Sequence, residues 1–181
     1  MTSGADKTAR GIAFALFFTA LVQAVEVRAQ SAPLAGLKTA RVEVVINGTG
    51  LERHPELARA LENPDILPEV IKTRLELEIR RSSGLQIVPA AQSTLRAVVV
   101  VAVTRVENPT SRVLAYSYTA GINLEEPVLV PRNKIVVRAP IWQSYVIYAS
   151  SQPNLSEIVP DLDRALAQFL NDYLAANPRV P

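Results

Sequence analysis

The chain has 181 residues, 49% of them hydrophobic, and a formal net charge of +2 at pH 7. It contains no cysteine, which excludes disulfides, thiolate metal sites, a cysteine nucleophile and a lipid-modified N-terminal cysteine. No Lys/Arg run exceeds Arg80-Arg81, so neither a nucleic-acid footprint nor a polybasic membrane patch is expected.

Lys7 and Arg10 precede an apolar stretch from Gly11 to Val25, and Val27-Arg28-Ala29 offers a small residue at the end. This pattern predicts a secretory signal peptide over 1–29, cut before Gln30. The stretch is shorter than the roughly 20 residues a spanning helix needs, and Glu26 and Arg28 close it. The expected product is exported to a bacterial periplasm or medium with no membrane anchor after cleavage. Three of the 19 Lys+Arg and two of the 17 Asp+Glu precede Gln30, which leaves a net charge of one. The remaining chain, about 150 residues, suffices for one domain with one core.

Residues 30–38 hold Pro33 and Gly36 and read as a flexible lead-in. From Thr39 to Ile46 the sequence alternates, with Val42, Val44 and Ile46 on one face, which predicts a first strand. His54-Pro55 opens a short helix carrying Leu57, Ala60 and Leu61, and Asn63-Pro64-Asp65 breaks it. A longer helix starts near Pro68, a residue suited to the first helical position. Its expected apolar stripe is Val70, Ile71, Leu75 and Ile79. Leu85 to Val88 predicts a short strand.

Leu95 to Val106 is the longest β-branched run. Leu95, Ala97, Val99, Val101 and Val103 share one face; Val98, Val100 and Ala102 share the other. Two apolar faces predict a central strand covered on both sides. Asn108-Pro109 then has the chemistry of a type I turn. The returning strand, Val113 to Ile122, places Leu114, Tyr116, Tyr118, Ala120 and Ile122 on one face. Glu125 to Asn133 reads as a loop holding Pro127 and Pro131, with a brief edge segment at Val128–Val130. Lys134 to Ala149 predicts a last strand, which Pro140 confines to an edge or a bulge. Leu155, Ile158, Val159, Leu162, Leu166, Phe169, Leu170 and Tyr173 recur at helical spacing, with Asp161, Asp163, Arg164, Gln168 and Asp172 mostly opposite.

The predicted order, β-α-β-β-β-β-α, fits an α+β two-layer sandwich. A mixed, mostly antiparallel sheet of four to five strands would be packed by two amphipathic helices in one domain over 39–177. Together with the leader and the Gly84-Leu85-Gln86-Ile87-Val88 step from helix to strand, this order resembles small periplasmic α/β modules. The N-terminal domain of TolB and outer-membrane assembly lipoproteins are similar in outline. The resemblance implies partner-protein binding and supplies no catalytic residues. The absence of a lipobox cysteine departs from the lipoprotein relatives.

No catalytic set stands out. His54 is the single histidine, and no serine lies in a Gly-x-Ser-x-Gly elbow. One histidine with scattered carboxylates gives no zinc spacing, and no glycine-rich phosphate loop exists; no cofactor or metal is expected. Glu125 and Glu126 are adjacent acids, whereas a glycosidase fixes two across a cleft. The aromatic residues Tyr116, Tyr118, Trp142 and Tyr145 fall on neighbouring strands. They could form a platform for a sugar, peptide or lipid, or roof the core beneath the helices. The sequence therefore predicts an exported, non-catalytic module that binds an envelope protein or itself through an edge strand. The alternative is a binding protein for a small amphipathic ligand, and a carboxylate-dependent hydrolase is a third reading.

Overall fold

The structure is a computed structural model that describes residues 27–28, 32–49, 51, 54–108, 111–150 and 154–178. The signal-peptide expectation falls on residues of which only Val27 and Arg28 are described. The turn expected at Asn108-Pro109 likewise lies outside them at Pro109.

The elements are β1 (Val27–Arg28), β2 (Thr39–Thr49), α1 (Pro55–Leu61), α2 (Pro68–Ser82), β3 (Gln86–Ile87), β4 (Thr94–Asn108), β5 (Ser111–Val130), β6 (Ile135–Ser150) and α3 (Ile158–Ala176). Six strands form one sheet in the order β1-β6-β5-β4-β2-β3. β2 runs parallel to β3 and β4, as strands joined through a helix can. β4, β5 and β6 form an antiparallel meander, and β1 adds a two-residue antiparallel pairing at Ser144 and Tyr145 of β6. The fold is the expected α+β two-layer sandwich.

The helices cover one face of this sheet. Leu95, Ala97, Val99 and Val101 of β4 are 0% exposed. Register aligns them with Leu124, Ile122, Ala120 and Tyr118 of β5, all buried. Leu57 of α1, Ile71, Leu75 and Ile79 of α2, and Leu162, Leu166 and Phe169 of α3 join the same core. The opposite face of β4 is different. Val98 and Val100 stay only half-buried, flanked by Val45 of β2 and by Gly121 and Thr119 of β5. This corrects the expectation that β4 is sealed on both sides. β-branched residues favour a pleated strand whether or not a layer covers them, so apolar content on two faces does not require two covering layers.

Two further expectations change. Val70 was expected in the apolar stripe of α2, yet it is 45% exposed while Ile71, Leu75 and Ile79 are buried. Within the lead-in, Leu34 and Leu37 are buried. Asn177, just past α3, accepts from the Gly36 N–H at 2.7 Å and donates to the Leu34 carbonyl at 2.8 Å. Gly36 has φ 79°, a left-handed conformation open to glycine at little cost. Residues 32–38 are thus docked against the end of α3 rather than loose.

The segment expected as a loop over 125–133 is mostly strand. β4 begins at Thr94, opposite Glu125. Beyond that pair β5 and β6 continue without it, matching Glu126 with Ala139 through to Val130 with Ile135. Pro127 is tolerated because no third strand among the described residues needs its missing N–H there. A turn over 131–134 closes the ribbon, with the Lys134 N–H donating to the Val130 carbonyl at 2.9 Å. Pro140 does sit at an irregularity: the register shifts between Leu124, opposite Trp142, and Glu125, opposite Pro140, leaving Ile141 as the extra residue.

Candidate interaction surface

The four aromatic residues do not share one surface. Tyr118 and Trp142 are 2% and 1% exposed, on the helix-covered face. The Trp142 ring meets Phe169 of α3 edge-on at 5.2 Å, and its Nε1 donates to Asp172 Oδ2 at 2.9 Å. The Tyr118 ring stacks on Tyr148, and its hydroxyl donates to Asp161 Oδ2 at 2.8 Å. Tyr116 is half-buried on the same face, edge-on to His54. Tyr145 has the opposite parity and lies on the open face, over Gly121, where any side chain would collide with it and with the backbone of Ser144. The reason is strand alternation: 142 and 145 differ by three positions and cannot point the same way on a regular strand. Tyr118 and Trp142 are core residues, which leaves Tyr145 alone on the other side.

Asp161 was expected on the polar face of the last helix. It is instead buried, held by Tyr118 and by Arg164 Nη1 at 2.6 Å. A buried carboxylate is tolerated when donors satisfy it. Burial, with the Asp161 hydrogen bond and charge adding to it, pushes the Tyr118 hydroxyl well above its usual pKa. Helical spacing alone put Asp161 outside the apolar stripe; no local signal announced that a tyrosine from β5 would reach it.

The open face carries a polar cluster at the end where β2 and β4 begin. Arg96 donates to Glu43 at 2.9 Å and to Glu125 at 2.8 Å, and Arg41 contacts Glu43 at 3.0 Å. Arg41 and Arg138 both donate to Thr94 Oγ1. The hydrogen bond from Arg96 holds the Glu43 carboxyl below its usual pKa, against a smaller opposing effect of burial. Burial raises the Tyr145 hydroxyl. Asn123 Nδ2 lies 3.4 Å from Glu125, and its buried Oδ1 has no hydrogen-bond partner among the described residues. The adjacent acids Glu125 and Glu126 do not face each other across a cleft. Glu125 is bound by Arg96, while Glu126 accepts from Ser93 at 2.7 Å. Among the described residues no group of three or more His, Cys, Asp and Glu side chains is placed to hold a metal ion, and no helix is long and apolar enough to cross a membrane.

The most unusual surface is the ribbon beyond β4, residues 126–139, here called the arm. Leu129 is 52% exposed, Ile135 54% and Val136 61%, and Val128 and Val137 are also exposed. Leu129 and Val136 project to one face, Val128 and Val137 to the other. A two-stranded ribbon is marginal in water without a third element to pack on. Sequence alternation could not identify it, because a short apolar segment between two prolines also suits a loop.

No family model matches the chain, and no curated protein matches it. Among solved structures, it is similar to a minor lipoprotein from Acinetobacter baumannii, at 12% identity and TM-score 0.35, over 80% of this chain and 97% of that one. A PelC dodecamer from Paraburkholderia phytofirmans matches at 16% identity and TM-score 0.34, over 82% and 98%. A neuraminyllactose-binding hemagglutinin homolog from Helicobacter pylori matches at 14% and 0.28, over 81% and 82%. At such identities and scores these likenesses carry no functional assignment.

Proposed function

We propose that the protein is an exported, non-catalytic interaction module of the bacterial cell envelope and that its arm is the contact element. The observation that carries this reading is the exposed apolar ribbon, in which Leu129, Ile135 and Val136 remain open to water although both their strands belong to the sheet. Exposed apolar residues gathered at one projection mark an interaction site more often than scattered ones do. The predicted leader supports export, and among the described residues the outer edge of β6 is paired only at Ser144 and Tyr145, with β1. Such an edge is a template for strand addition. The sequestered Glu125 and Glu126 favour binding over hydrolysis.

A photo-cross-linking residue placed at Leu129 tests the proposal in cells. Discrete protein adducts at Leu129, missing when the same residue stands at exposed Glu157, away from both the arm and α2, are expected. Equal adducts at both positions, or none at Leu129, would count against the arm as a contact element.

A further inference from the structure

Resting on that reading, we infer that the arm's partner is a second copy of this chain, with each arm lying along α2 of the other copy in a two-fold arrangement. The receptor is the outer side of α2. Val70, Thr73 and Leu77 line an open groove of about 620 Å³ on the outer side of α2. Leu67, Val70 and Leu77 are all exposed there. An exposed apolar row on a helix otherwise packed by Ile71, Leu75 and Ile79 has no role in the core of a single copy.

Length and charge match the arm to this groove. The arm's five residue pairs, 126/139 to 130/135, span about 17 Å at ~3.4 Å per residue. Val70 to Arg81 along α2 spans about 16 Å at ~1.5 Å per residue. The arm's turn exposes Arg132 and Lys134. The groove's N-terminal end exposes Glu62, Asp65 and Glu69, and its C-terminal end carries Arg80 and Arg81. Glu126 stands at the base of the arm. Cations at the tip therefore select the N-terminal end of α2, and the base carboxylate falls near the arginines. Complementary charge of this kind fixes register.

The topology says why the groove must belong to another copy. β3, which follows α2, pairs with Thr39 and Ala40, at the same end of the sheet as Thr94 and Glu125. The C-terminus of α2 thus lies at the end from which the arm projects, and its N-terminus at the far end. An arm cannot turn back to reach Leu67 and Val70 of its own chain. In a copy turned end over end, the two arms run in opposite directions, each with its tip toward the partner's α2 N-terminus. Such an isologous contact closes as a dimer. A bilayer suits the arm less well: about 17 Å is well short of the ~30 Å hydrocarbon core, and a barrel hairpin alternates apolar with polar, whereas Val128–Val130 and Ile135–Val137 are apolar throughout.

The chain's lack of cysteine makes the test direct. Val136→Cys and Thr73→Cys proteins are prepared separately, mixed, and treated with a short thiol-to-thiol cross-linker. A covalent dimer from the mixture, with little from either variant alone, is expected. Arg132→Glu and Glu69→Arg should each weaken self-association by about tenfold, and mixing the two variants should restore it. A Val136→Cys dimer formed without Thr73→Cys would mean that arms pair with each other and overturns the proposal. A monomer throughout, or arm-dependent binding to phosphatidylglycerol vesicles in place of dimerisation, overturns it as well. If the chain is monomeric yet the Leu129 photo-cross-linker captures a different protein, the interaction reading stands and only the second-copy inference falls.

Discussion

β5 passes through two environments and shows what burial adds to sequence. From Tyr118 to Leu124 its alternate side chains lie under the helices, and Tyr118, Ala120, Ile122 and Leu124 are at most 2% exposed. From Val128 to Val130 an equally apolar stretch stands clear of them, with Leu129 half exposed. The strand is continuous and its hydrogen-bonded partner β6 is the same. What changes is that β4 begins only at Thr94, opposite Glu125, so beyond that pair the surface that the helices roof is missing. The first half stabilises the fold by taking apolar surface out of water. The second half leaves that stabilisation available to a contact with another surface.

The largest effect should come from emptying the covered half. Trp142→Ala removes the ring against Phe169 and strands Asp172 with fewer donors. Denaturant unfolding should show a loss of about 3–5 kcal/mol. Tyr118→Phe should cost less, about 1–3 kcal/mol, since the buried Asp161 loses one of its donors while the ring remains. Because the folded-state pKa of Tyr118 is raised, its contribution is complete below the ordinary tyrosine value of 10.0 and is lost as pH rises above it. Alkaline stability curves of Tyr118→Phe should accordingly be flatter than those of the parent.

The arm should respond in the opposite sense. The pair Leu129→Lys and Val136→Lys should leave unfolding within about 0.5 kcal/mol of the parent under conditions where the chain is monomeric, because neither side chain is buried. Self-association measured by sedimentation should disappear. A loss of stability comparable to that of Trp142→Ala would show the arm to be part of the core. The smallest effect is expected at the turn. Lys134 has φ 60°, where a side chain is mildly strained, so Lys134→Gly should raise stability by about 0.5 kcal/mol at most in the same unfolding assay.

Much of the fold was legible because local periodicity and burial agree for most elements. β2, α1, α2, β3, β4, β6 and α3 fall close to where the spacing of apolar residues places them, and Pro140 marks the irregularity in β6. The candidate site was less legible. Trp142 and Tyr118 carry polar atoms that suit a surface or a core equally until Asp172 and Asp161 are seen to receive them. Val70 fits the helical stripe by spacing yet faces outward, because helix rotation is set by which residues meet the sheet.

The residues by themselves determined that β4 is a strand, that α3 is amphipathic and that the two belong to a two-layer α+β body, since these follow from periods of two and 3.6 along the chain. Tertiary structure alone decided that one face of β4 stays open, that Asp161 is buried and that residues 126–139 project. Each depends on where a neighbouring element stops, and that is a property of packing between distant segments.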